Sequence, residues 1–386
     1  MRVRPVTIAA GTGGVGLLGL VVCALADPQR TAFAYLAAWV FAWSAGLGVL
    51  LLAMIHHVTG STWFVAVRRL AEESSLSLLP ATAGFVPIAL CLPLLYPWLR
   101  PGALDPAMSA SVAAKAAYLN LPFFFVRASL YFGVWLGAAL LLARWSRAQS
   151  DAARAAPLAR RQKQLSTALL PASALALTFA SVDWIMSLEP TWASSIFGVY
   201  VFAGAAVAGV ALLVVVAFLA QRAGALVEVP TVSHYHALGK LLHTFVIFWA
   251  YVAFMQFFVI WIANVPRETT WYVERLRGGW QVPAALLVVG HFVIPFLLLL
   301  SRPLKRDPAR LAAVALWLLA MHFVDVYWMI VPARGATGFA PHLADAAALL
   351  AVCGFGVAFV LHRMERTVLV ARGDPRFARA LGFTTR

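Results

Sequence analysis

The chain has 386 residues, 62% of them hydrophobic and only 12% charged, with a mean hydropathy of +0.85 and a formal net charge of +15. A soluble domain carries about 25% charged residues, so the composition excludes a soluble globular protein. The basic excess does not indicate a nucleic-acid partner, because the arginines cluster in short connections between apolar blocks, where they act as topology signals.

Ten blocks are long enough to cross ~30 Å of hydrocarbon as helices. They are 6–26, 33–55, 78–99, 121–143, 165–186, 194–219, 239–263, 279–300, 309–331 and 342–362. The first follows "MRVRPVT" and ends "ALADPQR". It has the outline of a secretory signal but reads as a retained span, because no soluble domain follows it. Inside it, "GTGGVG" (11–16) reads as close helix packing. Pro87, Pro93, Pro171 and Pro295 fall inside spans and predict kinks whose freed backbone groups neighbouring helices satisfy. Trp98, Trp192, Trp271 and Tyr272 lie near span ends and are expected to anchor at the membrane interface.

The connection "RWSRAQSDAARAAPLARRQK" (144–163) reads as a solvated loop with an orientation signal, a specific lipid or protein contact being the alternative. The tail, 363–386, is expected on the cytoplasmic surface as a basic segment, with a Gly-Asp-Pro turn interrupting any long helix. Of the 30 Lys and Arg, 22 lie at the two termini, in the connections after even-numbered spans or, for Lys240 and Arg310, just inside the span that follows. Seven lie on the other side, and Arg127 sits inside the fourth span. The positive-inside rule then puts both termini in the cytoplasm.

The fifth span ends "SVDWIMSLEP" and the ninth contains "FVDVYWMIVP". Each has an aspartate shortly before a proline, with Trp and Met between, and an offset of four spans keeps the two units parallel. This weak repeat predicts an all-α polytopic membrane protein forming one integral domain, 1–386. Within it, spans two to five (33–186) and six to nine (194–331) form two four-helix bundles, with the first and last helices peripheral.

Ionisable residues in lipid are costly and are functional candidates by default. Here they are Asp183, Asp325, Arg127, Lys240, His243, His291 and His322, with His56 and His57 at the end of span two. Spacings of four and three place His236, Lys240 and His243 on one helical face. His322 and Asp325, three apart, are within reach of a hydrogen bond. From inside to outside the order is Lys240 and His243, then His291 and His322, then Asp325 and Asp183. Groups that exchange protons at graded depths suit a proton relay; the plain alternative is that they lock helices together by hydrogen bonds. The paired histidines of a haem b site are absent. The three cysteines, Cys23, Cys91 and Cys353, lie far apart and show no metal spacing.

Three long strings, "FASVDWIMSLEPTWASSIFGVYVFAG", "LGKLLHTFVIFWAYVAFMQFFVIWIANVPRETTWYVER" and "PFLLLLSRPLKRDP", resemble the F subunit of bacterial alternative complex III. That family is a membrane quinol:electron-acceptor oxidoreductase whose C and F subunits are related to the polysulfide-reductase membrane anchors. The resemblance is strongest over 178–308 and extends through "MHFVDVYWMIVP" and "HHVTGSTWFVAVRR". It implies ten helices in two four-helix bundles and a bacterial cytoplasmic membrane location. It implies no redox cofactor in this chain, with menaquinol or ubiquinol, haem c and iron–sulfur clusters handled by partners. Those partners are a homologous quinol-binding membrane subunit, an iron–sulfur subunit and haem c subunits, besides the lipid bilayer; no nucleic acid is involved. Asp183, His243, His322 and Asp325 match positions where this subunit type shows polar intramembrane residues. One departure is "NVPRET", where Arg267 replaces an expected acid and leaves Glu268 as the remaining carboxylate for proton release. The resemblance implies an anchoring subunit with a proton-conducting role; joined to the intramembrane polar residues read above, the expected proton path is Asp183, Lys240, His243, His291, His322, Asp325 and Glu268. Direct quinol binding by this chain is the alternative within the same complex. A proton-coupled secondary transporter and a purely structural anchor are the alternatives of other classes.

Overall fold

The computed structural model describes residues 5–100, 102, 104, 106–150, 152–335 and 338–385. Among these, ten helices are long and apolar enough to cross a membrane, and no strand occurs. The protein is an all-α, multi-pass membrane protein. Its spans are Pro5–Ala26, Pro28–Thr59, Arg68–Leu90, Leu121–Ala148, Arg154–Leu188, Phe197–Arg222, Val232–Ala263, Gln281–Leu300, Pro308–Arg334 and Leu343–Glu365.

A recurrent device starts these helices: a polar cap followed within two residues by proline, which needs no backbone acceptor in the first turn. Asp27 caps the second span by accepting from the Arg30 amide at 2.9 Å, Asn120 caps the fourth and Asp307 the ninth.

The prolines act unequally. In and just after the third span Pro80, Pro87 and Pro93 accompany a chain of short helices, Leu78–Ala83, Phe85–Leu90 and Leu92–Leu95. Pro171, by contrast, lies within an unbroken helix, Ala152–Trp184. Pro295 follows a π-helical segment, Leu287–Val293, that interrupts the eighth span.

The second, third, fourth and fifth spans contact one another in a closed ring, and the sixth to ninth form a second ring. The two bundles meet chiefly along the second and sixth spans, the most enclosed of the ten. The crossing is close: a Cβ on Gly48 would lie 1.9 Å from the Ala205 carbonyl oxygen, and one on Gly209 would lie 2.5 Å from the Gly48 carbonyl carbon. Small residues permit such an approach where lipid supplies no hydrophobic drive. The first span packs on the tenth, and both rest on the second.

The first bundle is filled by Trp39, Trp43, Trp135 and Trp184, all buried, with ring centroids 4.9 Å apart for Trp39 and Trp184 and 5.0 Å for Trp43 and Trp184.

Three expectations are corrected. Residues 152–163 are helical rather than a solvated loop: the fifth helix begins early, with Ala155, Leu158 and Gln162 buried. The tail does not lie free as a basic surface segment: Leu369, Val370, Ala371 and Asp374 are buried against the arginine-rich end. Trp98, Trp192 and Trp271 are buried rather than interfacial, Trp192 stacking on Trp271 at 4.7 Å.

Candidate functional site

The two repeat aspartates occupy chemically different places. Asp183, 1% exposed, receives Arg127 through Nε on Oδ2 and Nη2 on Oδ1, both at 2.8 Å, and the Tyr131 hydroxyl on Oδ2 at 2.8 Å. Arg127 also donates to the Tyr118 carbonyl and lies 3.8 Å from that ring's centroid. The carboxylate is paired in the two-pronged geometry that makes such bonds strong. The cost of an unpaired charge in lipid therefore does not arise at Asp183.

Asp325, 1% exposed, is held by neutral donors. The Tyr200 hydroxyl donates to Oδ1 and the Trp249 indole N–H to Oδ2 at 3.0 Å. Among the described residues no cation contacts it. The expected bond from His322 to Asp325 does not form. His322 instead turns Nε2 to Ser44 Oγ of the second span at 2.8 Å and leaves Nδ1 without a partner. Both side chains approach the sixth span at Gly204, where a Cβ would lie 3.1 Å from His322 Nδ1 and 3.5 Å from Asp325 Oδ2.

His291 completes the group. It is fully buried in the π-helical segment, stacks on Trp249 with centroids 4.0 Å apart and planes 21° apart, and has no partner on either ring nitrogen. A π-bulge shifts the backbone ladder by one residue and often marks a functional site. Here Trp317 Nε1 donates to the Gly290 carbonyl at 2.7 Å. The cluster therefore draws Ser44, Tyr200, Trp249, His291, His322 and Asp325 from five spans. Three imidazole nitrogens, two on His291 and one on His322, have no protein hydrogen-bond partner among the described residues, so they are available to take or give a proton.

Toward the end away from the termini, Gln256 lies two turns beyond Trp249 on the seventh span. It accepts from Ser194 at 3.3 Å and donates to the Tyr272 hydroxyl at 3.2 Å, giving a polar continuation. Toward the other end His243 is half-buried, packs on Phe296 at 5.2 Å, and has its Nε2 buried and unpartnered. Lys240 is exposed, so it does not belong to the interior set, and His236 is engaged with Thr385 of the tail at 2.8 Å. Glu268 sits half-buried in the first turn of the short helix Pro266–Glu274, a position where a carboxylate is favoured by the helix dipole. Arg267 bonds the Thr191 carbonyl at 2.6 Å and Ser111 at 3.3 Å, tying that helix to the connections beside it.

Sequence reading missed two charged groups, because it counted them as loop charges. Arg275 is fully buried: it donates to the Trp271, Trp328 and Met329 carbonyls and to Glu189 at 2.5 Å. At the arginine-rich end, His57 meets Glu72 at 3.0 Å, while Arg68 reaches Asp374 and Gln149, each at 2.6 Å. Gln162 bridges Gln149 and Glu72 at 2.8 and 3.3 Å, and Glu72 Oε2 has no hydrogen-bond partner. The pattern "RRLAEES", two cations followed by two acids one helical turn on, was the available signal.

Comparison with models of protein families and with curated proteins gives no match. What the fold and site define is a class: a membrane protein with ten helices long and apolar enough to span among its described residues, in which Asp183 of the first bundle is ion-paired and Asp325 of the second meets no cation.

Proposed function

We propose that this chain is a membrane subunit of a quinol-oxidising respiratory complex of the alternative complex III type. In this reading it lies in the bacterial cytoplasmic membrane with both termini in the cytoplasm. It anchors the iron–sulfur, haem c and quinol-binding partners, and its second bundle carries protons. One observation carries the proton role: Asp325 is buried without a cation, held by Tyr200 and Trp249, beside two histidines with orphaned ring nitrogens. A carboxyl held by neutral donors can change protonation without breaking an ion pair, and neutral imidazoles can both accept and donate a proton.

The route runs from His243 past His291 and His322 to Asp325, then by Gln256 and Tyr272 to the opposite face. Lys240 and Glu268 are peripheral to it, and Asp183 is a structural lock with Arg127. Purification from native membranes tests the assembly: c-type haem and iron–sulfur subunits come with this chain, whereas isolation as a lone stable protein counts against the complex and favours a transporter. Asp325→Asn tests the path. Quinol-driven proton release falls about 100-fold or more while the complex stays assembled. Unchanged proton release in this variant refutes the route.

A further inference from the structure

The helices Leu121–Ala148 and Ala152–Trp184 form a hairpin at the arginine-rich end, and a cavity of about 370 Å³ opens on its outer side. Arg144, Trp145 and Ala148 line it from one helix, and Arg154, Pro157, Leu158 and Arg161 from the other. The spacing explains the convergence: 144, 145 and 148 share one face of the first helix, as 154, 157, 158 and 161 do of the second. The floor is apolar, with Leu158 buried, and the guanidiniums of Arg144 and Arg161 are exposed at the rim.

We infer that this cavity binds the phosphate headgroup of an anionic phospholipid. Its volume lies within the ~300–1,000 Å³ of small-molecule sites. Among the described residues no carboxylate lines it and none pairs with Arg144 or Arg161. The neighbouring Arg147 differs, since it is committed to Glu73 at 2.6 Å. Guanidiniums suit phosphate because their paired N–H groups match two of its oxygens. A lipid is favoured over a free anion by the surroundings. Arg144 sits one turn from the exposed Leu140, so acyl chains can run down the apolar side of the same helix while the headgroup stays at the water boundary. Trp145, half-buried beside it, has the amphipathic ring suited to that boundary. An orientation signal needs only positive charge near a span end. It does not need charges from two helices converging on one cavity. Gln149 Nε2 ties the two helices together by donating to Gln162 Oε1 at 2.8 Å.

The protein is purified in mild detergent with the subunits that accompany it, and its thermal unfolding and native mass spectrum are recorded with short-chain phosphatidylglycerol, short-chain phosphatidylcholine or inorganic phosphate. Phosphatidylglycerol stabilises the wild type and remains bound in the spectrometer. The variant Arg144→Gln/Arg161→Gln binds it roughly 30-fold more weakly, as expected for two lost basic contacts. Arg160→Gln, an exposed change outside the cavity, binds like the wild type. Equal retention of phosphatidylglycerol by the double variant places the site elsewhere and overturns the inference. Equal binding of phosphatidylcholine shows an apolar groove instead, and an equal effect of inorganic phosphate shows a free-anion site; either outcome overturns it. If the double variant fails to fold, Arg144→Lys/Arg161→Lys, which keeps the charge, replaces it. Weakened but measurable phosphatidylglycerol binding then supports the site, and binding equal to the wild type counts against it.

Discussion

Arg127 and Asp183 join the fourth and fifth spans through two parallel 2.8 Å hydrogen bonds, while Asp325, the counterpart of Asp183 in the second bundle, meets only a tyrosine and a tryptophan. The same residue type thus serves as one half of an ion pair in one bundle and as a cation-free carboxyl in the other. The difference can be measured by substitution.

Removing one partner of a buried ion pair strands the other charge at a cost of about 3–5 kcal/mol, whereas replacing both by apolar groups is close to neutral. Arg127→Leu and Asp183→Leu are therefore expected each to lower unfolding stability in detergent by about that amount. The double variant Arg127→Leu/Asp183→Leu recovers most of the loss. If the double variant loses as much as the singles combined, the lock assigned to this pair is wrong.

His291→Phe separates proton transfer from packing. Phenylalanine keeps the stack on Trp249 and removes two buried nitrogens that have no partner. Stability is expected to hold or rise by up to about 1–3 kcal/mol, while proton-coupled turnover falls. A stability loss of the size seen for core truncations would mean that His291 is there for packing.

The spans were legible because lipid imposes one rule on every block: about 20 apolar residues with internal hydrogen bonds. Asp183, Asp325, His291 and His322 were legible as polar groups inside those blocks, since their cost in lipid makes them stand out. Their partners were not. Arg127 and Asp183 are 56 residues apart and Ser44 and His322 are 278 apart, so only the tertiary arrangement pairs them. The π-helical segment around His291 leaves no mark in composition. Arg275 and Arg68 were read as loop charges because topology counting records where an arginine lies along the chain and not which carbonyls or carboxylates surround it.

The contact between bundles rests on Gly48 and Gly209. A methyl group at position 48 would overlap the Ala205 carbonyl, whose neighbouring atoms are backbone and cannot rotate aside. Gly48→Ala is expected to force the second and sixth spans apart and to destabilise the protein by at least about 1–3 kcal/mol. Gly133→Ala, which meets nothing within 4 Å, is the matched control and changes stability little. Equal effects at the two positions would show that the crossing is looser than described.

The tail gives a pH dependence with a definite sign. Burial alone would raise the Asp374 carboxyl, but the Arg68 guanidinium and the bonds from Arg376 outweigh it and hold the group below its ordinary value. A carboxyl lowered on folding contributes stability that is complete above its unfolded value of about 3.9 and is lost as pH falls through the folded value. The part of the docking of residues 366–385 that Asp374 supplies, followed by limited proteolysis as the difference between the wild type and Asp374→Asn, is therefore expected to be complete above about pH 5 and to weaken below about pH 4. His56 and His236 also face the tail, at Arg376 and Thr385, and are common to both proteins. Asp374→Asn removes this dependence and leaves Arg68 with one fewer charge partner, so the tail becomes protease-sensitive at neutral pH. Arg69 bonds the Val368 and Val370 carbonyls at 2.8 and 3.1 Å, and those contacts do not titrate in this range. They keep residues 366–371 partly protected in the variant, so cleavage concentrates beyond position 371. Cleavage spread evenly along 366–385 would show that Arg69, rather than the Arg68–Asp374 pair, is the weaker anchor.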